Sequence, residues 1–320
     1  MNLRKSKGVV VEAPASSANV GPGFDVFAIA VECPKDIVTI SLKDEGGVKI
    51  FVEGLDSEKI PNIVDGNTAG VVAKKLVKDY GLPDNIEIRI VKGIPVGMGL
   101  GSSAASAAAV AYGINELFSL NLDNNGLVKY AAEGEVASAG KPHADNVSAS
   151  LLGGFTLIRS YNPIDVIKFD LPENLGICIA SPKISYGQKK TEQFRAVIPK
   201  LIELDKLVHN VGHASALVAA ILTKNLKLFA RSLNDAVVEP ARAKLIPGYH
   251  SVKNAALEAG ALGVTISGAG PSMVAFYDTN IVNGDDIGTR MCLAFSSEGY
   301  EATYICTKPG QGCRTVKYLF

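Results

Sequence analysis

Hydrophobic and polar positions recur with two periods along this chain. In residues 86–91, Ile86, Ile88 and Ile90 alternate with Glu87 and Arg89, which predicts a half-buried strand. β-Branched runs predict further strands at 9–12, 37–42, 48–52 and 153–159. In residues 67–80, Val71, Val72, Leu76 and Val77 return at helical spacing, and 103–120 and 127–138 read as two more helices. The first turns of 103–120 are rich in Ala, and side chains that small let a helix lie very close to a sheet or to another helix.

Ser160-Tyr161-Asn162-Pro163 breaks the pattern and predicts a domain boundary, dividing the chain into lobes 1–162 and 163–320. Beyond it the pattern predicts strands at 166–169 and 177–180, then a long helical region from 191 to 233. A helix at 250–259, strands at 263–267 and 273–278, a helix at 285–298 and a strand at 302–306 complete the chain. Two βαβ-like units around antiparallel pairing suit a ferredoxin-like second lobe. The expected class is α+β in two lobes.

Composition narrows the possible partners. The chain has 320 residues, 47% of them hydrophobic, with Lys+Arg and Asp+Glu equal at 32 each. That length suits two domains with a substantial core. Zero net charge argues against a nucleic-acid binder, which needs a basic face, and against a polybasic membrane anchor. No uninterrupted apolar run reaches the ~18 residues of a membrane helix, and residues 1–5 have no apolar run of signal-peptide character behind them. The five cysteines are scattered and never spaced as a CxxC pair, which suits buried thiols in a reducing compartment. The expectation is a cytoplasmic protein with a small-molecule substrate, no nucleic-acid or membrane partner, and at most a second copy of itself.

Glycine is the anomaly. Its 32 residues are about 10% of the chain against a typical ~7%, and they cluster near 21–23, 93–101 and 263–270. The central cluster lies between a predicted strand and a predicted helix. It contains Pro95, Val96, Gly97, Met98, Gly99, Leu100, Gly101, Ser102, Ser103, Ala104 and Ala105. Alternating glycines let successive backbone N–H groups converge on an anion, and the helix that follows points its positive end there. A Walker loop would need Lys and then Ser or Thr after the last glycine, where this chain has Ser-Ser. The spacing Gly99-x-Gly101-x-x-Ala104 fits a relaxed dinucleotide fingerprint, but Glu116, the acid about 20 residues on, falls within a helix.

The run from Pro95 to Ala105, Pro-x-x-x-Gly-Leu-Gly-Ser-Ser-Ala-Ala, resembles the signature of the GHMP small-molecule kinases nearly residue for residue. Three further segments resemble the branch of that family that phosphorylates L-homoserine. The first runs from Ala13 to Asp25 and contains Asn19. Its amide and carboxylate suit an ammonium group or a hydroxyl, or alternatively form an Asx turn in which Asp25 caps backbone. The second holds Glu133 and Glu135, followed by Gly140-Lys141-Pro142-His143-Ala144-Asp145-Asn146. The third comprises Thr191-x-x-x-Arg195, in a segment starting at Gln188-Lys189, and Glu239-Pro240-x-Arg242, where guanidinium groups suit a substrate carboxylate. The glycine turn 266–272 resembles the family's third motif and is expected to brace the phosphate loop from the other lobe.

The resemblance implies an N-terminal lobe like domain 2 of ribosomal protein S5 and a ferredoxin-like C-terminal lobe. It also implies ATP-dependent phosphorylation of the side-chain hydroxyl of L-homoserine, with mevalonate or shikimate as alternative alcohols. Residues 95–105 would cradle the ATP phosphates, with Asn67 near the adenine, while Ser103 and Glu135 would hold Mg²⁺. Asn19, Asp25, His143, Asn146, Thr191, Arg195 and Arg242 would position the amino acid. Of the neighbours Asp145 and Asn146, only one is expected to face the transferring phosphoryl group, and the resemblance favours Asn146.

Overall fold

The first β-branched run extends into an eleven-residue strand, β1 (Gly8–Ala18), whose inward positions Val9, Val11, Ala13 and Ala15 are fully buried. It is followed by β2 (Phe27–Leu42), β3 (Lys49–Gly54), α1 (Thr68–Tyr80) and β4 (Ile86–Lys92). Next come α2 (Ser102–Phe118), α3 (Asn124–Gly134), α4 (Val136–Ala139), α5 (Asp145–Leu152) and the hairpin β5 (Phe155–Tyr161) with β6 (Ile164–Phe169). This computed structural model describes residues 6–140, 142–184, 186–187 and 190–320. Residues 1–5, Lys141, Gln188 and Lys189, which entered the sequence reading, lie outside the described residues.

These strands form one sheet with the order β11-β1-β2-β4-β3, and β5 and β6 branch from β2. All its pairings are antiparallel except β3 with β4, which α1 connects as a crossover. Helix α2 packs against α1, α3, α5 and the sheet, which leaves little room for side chains. Its Ala104, Ala105, Ala107, Ala108, Ala109 and Ala111 are all fully buried, as the Ala-rich pattern anticipates. A Cβ at Gly113 would come within 2.4 Å of Ile40 Cδ1, so the helix packs directly on the side chains of β1 and β2 with no room for one of its own there.

The second half begins with β7 (Leu175–Pro182), α6 (Lys190–Ala196), α7 (Leu204–Leu222), α8 (Leu226–Ser232), α9 (Val238–Ala243) and α10 (Tyr249–Glu258). It continues with β8 (Gly263–Ile266), β9 (Met273–Asp278), α11 (Gly284–Ser297), β10 (Ala302–Thr307) and β11 (Arg314–Leu319). The small antiparallel sheet has the order β10-β7-β9-β8, the ferredoxin-like arrangement expected. Both its faces are covered. Ile177, Ile179, Val274 and Phe276 join the core with Leu217 and Phe229 of α7 and α8, while Cys178, Ala180, Met273 and Ala275 pack with Val252 and Met291 of α10 and α11.

Two expectations need correction. The segment 160–163 is the turn of the β5–β6 hairpin, so the chain leaves the larger sheet between Phe169 and Leu175, and β11 returns to it beside β1. β11 carried no clear strand signal because it lies at a sheet edge and is mostly exposed, with Thr315 and Leu319 its half-buried positions. The helical region 191–233 is three helices, broken around Pro199 and again at Lys224 and Asn225. The two lobes meet where the Gly268 N–H donates to Ala18 O (3.0 Å) and the Ser17 and Ser267 hydroxyl oxygens lie within hydrogen-bond distance (3.0 Å).

Candidate active site

The glycine-serine segment joins the end of β4 to the start of α2 as a half-buried loop, exposed at Gly93 and Gly97. Gly97, Gly99 and Gly101 have φ of +77°, +79° and +65°, a region that side chains oppose. A Cβ on Gly99 would lie 2.2 Å from Ser267 O, so the turn 267–270 and the loop approach backbone to backbone. The Ser267 hydroxyl also donates to Gly99 O at 2.8 Å, which is the bracing expected of the third motif. From the other side, the Ser16 N–H donates to Leu100 O at 3.1 Å. Gly101 caps α2 without a side-chain hydrogen bond, so the positive helix terminus opens on the loop.

Below the loop lies a pair that sequence reasoning missed. Asp36 and Lys92 are ion-paired with side-chain exposures of 0% and 1%. Asp36 Oδ1 accepts the N–H groups of Gly93 (3.0 Å) and Ile94 (3.1 Å), while Lys92 Nζ donates to Ser102 O at 2.8 Å. Desolvation pulls the Lys92 pKa down, while Asp36 opposes the shift. The pair thereby ties the loop's entry to the first residue of α2. Ser102 is not an open phosphate contact, since its hydroxyl donates to Ile94 O at 2.9 Å.

Ser103 and Glu135 do meet: the hydroxyl donates to Glu135 Oε2 at 3.1 Å. Glu135 sits at the break between α3 and α4. A Cβ on the preceding Gly134 would be 2.8 Å from Thr68 O, so α3 ends directly on the first turn of α1. Burial raises the Glu135 carboxyl to about 7, with the nearby Asp145 charge adding to the rise and the Ser103 bond opposing it. Glu133 is half-exposed and faces Lys75.

Asp145 and Asn146 begin α5 and point differently. Asp145 is buried and its Oδ1 accepts the Asn146 N–H at 2.8 Å. Burial, reinforced by the Asp25 charge, raises its carboxyl to about 6. Asn146 Oδ1 accepts the Ser16 hydroxyl at 2.9 Å and lies 3.0 Å from where a Gly101 Cβ would be. Asn146, and not Asp145, therefore lies against the phosphate loop.

A second cluster is built from side chains. Arg195 Nη2 donates to both oxygens of Asp25, at 2.8 and 2.6 Å, and His143 Nδ1 lies 4.0 Å from Asp25 Oδ1. The alternative in which Asp25 caps backbone in an Asx turn is not what forms: Asn19 Oδ1 accepts the Asp25 N–H, six residues on, at 2.9 Å, and the Asp25 carboxylate faces Arg195. Both residues have positive φ, +59° and +57°, which Asn and Asp tolerate better than most. Tyr161 anchors the loop by donating to Asp25 O at 2.6 Å. Arg242 and Arg195 each lie 5.2 Å from the Phe24 ring centroid.

Three expected residues have a different standing here. Arg242 is buried and donates to Gly268 O (2.9 Å) and Phe194 O (3.3 Å), so it braces the third motif; burial lowers its pKa to about 10. Asn67 is a buried helix cap: its Oδ1 accepts the Ala69 N–H and its Nδ2 donates to Pro61 O, so its amide is committed to protein. Thr191 is exposed on α6, four residues before Arg195 and on the same side of the helix. Ser16 and Lys92 stand inside the motifs quoted from sequence, but nothing in their spacing announces partners 130 and 56 residues away.

Comparison with known proteins agrees with this geometry. Residues 67–154 match the family described as GHMP kinases N terminal domain, and residues 217–283 match GHMP kinases C terminal. The homoserine kinase of Methanococcus vannielii is 48% identical over 270 residues, covering 84% of this chain and 87% of the relative. That of Methanococcus maripaludis is 43% identical over 309 residues, covering 96% and 98%. The crystal structure of homoserine kinase from Cytophaga hutchinsonii superposes with a TM-score of 0.91 at 38% identity, covering 99% of each chain.

Proposed function

The chain belongs to the homoserine kinases of the GHMP family, and from that premise we propose how its residues phosphorylate the side-chain hydroxyl of L-homoserine with ATP. The observation that carries the reading is that the first turn of α5 links a glycine loop at a helix N-terminus, which Asn146 touches at Gly101, to the Asp25–Arg195 ion pair, whose charges act on Asp145. A free amino acid carries an ammonium and a carboxylate at neutral pH. Asp25 and Arg195 offer the opposite charges in the same order, Asp25 to the ammonium and Arg195 to the carboxylate. His143 and Thr191 flank them, and Asn19 and Arg242 hold the surrounding backbone.

Phosphoryl transfer asks for in-line positioning and neutralisation of charge. Backbone N–H groups of 95–105 and the α2 terminus receive the phosphates. Ser103 and Glu135 present hard oxygen donors close together, a set that would hold Mg²⁺. When bound, the ion neutralises charge on the phosphates. Asn146 contacts the attacking hydroxyl. The hydroxyl oxygen bonds to the γ-phosphorus as the bond from that phosphorus to the β–γ bridging oxygen breaks, ADP leaves with the electron pair, and the hydroxyl proton passes to the transferred phosphoryl group. Asp145, held on the Asn146 N–H, orients that amide.

Asn67 acts on the nucleotide only through α1, whose Thr68 hydroxyl donates to Ser103 O at 3.2 Å. No helix among the described residues is long and apolar enough to cross a membrane. A cytoplasmic place supplies ATP and keeps the five free cysteines reduced. For a second copy of the chain we assign the apolar strip of α7 with exposed Leu204, Val208 and Val211, to be tested by sedimentation of Val208→Glu. An ADP-release assay with L-homoserine, mevalonate and shikimate tests the activity; inactivity on homoserine would overturn it.

A further inference from the structure

Lys190 opens α6 and is a cation that the mechanism above does not use. It is only 8% exposed, yet its ammonium reaches across the seam between the lobes. Nζ donates to Gly97 O of the phosphate loop at 2.7 Å and to Gly270 O of the third motif. The Phe194 ring lies 5.8 Å away. Two of its three N–H donors are thus engaged, both by neutral carbonyls.

A buried ammonium costs several kcal/mol of lost hydration unless an opposite charge compensates it. Among the described residues no carboxylate forms an ion pair with Lys190, and the charge that acts on it is another cation, Arg242. Burial lowers its pKa to about 8, which leaves it mostly protonated at neutral pH. The loop therefore carries at Gly97 a positive charge without an anionic partner. The stem is flexible, so Nζ can move from a carbonyl to an oxygen beside it without backbone change. Asp36–Lys92 differs on every count: it is charge-balanced, lies beneath the loop and faces its own strand and helix.

We propose that Lys190 binds the terminal phosphates of ATP, as a cation that the second lobe lends to the first lobe's loop. The proposal rests on reading residues 95–105 as the ATP cradle. Lys190 carried no motif of its own, because it stands just ahead of the Thr191–Arg195 pattern and becomes a neighbour of Gly97 only through folding.

Calorimetric binding of AMP-PNP and of adenosine to wild type, Lys190→Met, Lys190→Gln and Lys190→Arg tests it. Lys190→Met is expected to weaken AMP-PNP by about 10- to 100-fold, the range of a lost charged hydrogen bond, while adenosine changes less than about twofold. Arg should restore most of the affinity, and Gln carries the same test if Met impairs folding. If wild type prefers AMP-PNP over adenosine and neither Met nor Gln weakens it, Lys190 is only a clamp between Gly97 and Gly270, and the proposal falls alone. If wild type shows no preference for AMP-PNP, the cradle reading falls and takes the proposal with it.

Discussion

The two halves of the proposed active site are made in different ways. The phosphate side is backbone: three glycines at positive φ and an uncapped helix terminus, all within 97–102. The amino-acid side is side chain: Asp25 and Arg195 stand 170 residues apart in sequence and come from different lobes. A phosphate presents the same tetrahedral anion in every nucleotide, so convergent N–H groups suffice to hold it. A zwitterionic amino acid must be told from other alcohols, which requires charges of both signs at set places.

The sharpest way to break this comparison is to damage each half separately. Gly99→Ala would force a Cβ to 2.2 Å from Ser267 O at φ +79°. It is expected to lower kcat/KM for ATP by about 10²-fold or more while homoserine affinity, read by calorimetry, stays within about threefold. Arg195→Ala should do the reverse, raising KM for homoserine by about 10²-fold and leaving ATP binding nearly unchanged, because Asp25 loses its partner. Equal losses for both substrates in either variant would mean that the halves are not independent.

The smallest expected effect on rate falls at the junction of the two halves. Asp145→Asn should keep kcat within about threefold if Asn146 is the contact; a fall of about 10³-fold would make Asp145 a general base. Its stability carries a further sign. The folded carboxyl titrates near 6, above its unfolded value, so the native state binds more protons between about pH 4 and 6. Stability is accordingly lost as pH rises through that window, by on the order of 2–3 kcal/mol in full. Asp145→Asn should remove that loss, so thermal melts of variant and wild type should diverge in the variant's favour from pH 5 to 8.

Legibility followed the same division. The loop 95–105 and the Ala-rich helix behind it were plain in the sequence, because glycine conformation and helical periodicity are local properties. Asp25, Arg195 and Asn146 were recognisable only as motif members, since spacing says nothing of what a side chain will meet. The capping role of Asn67 was legible too, since an Asn directly before a helical pattern is itself a capping signal. β11 stayed hidden because an exposed edge strand buries too little to leave a hydrophobic pattern.

By itself the sequence determined the two-lobed α+β order, the phosphate loop and the family to which the chain belongs. Each of these is carried by neighbouring residues or by a regular period. Only the tertiary structure decided that Asp36 and Lys92 brace the loop from below, that Asn146 rather than Asp145 lies against Gly101, and that Lys190 reaches Gly97 from the other lobe. Those contacts join residues 45 to 93 positions apart, or pair a strand with the end of another. Burial and packing select them when the two sheets close on a common seam, and no local pattern records which side chains will then face each other.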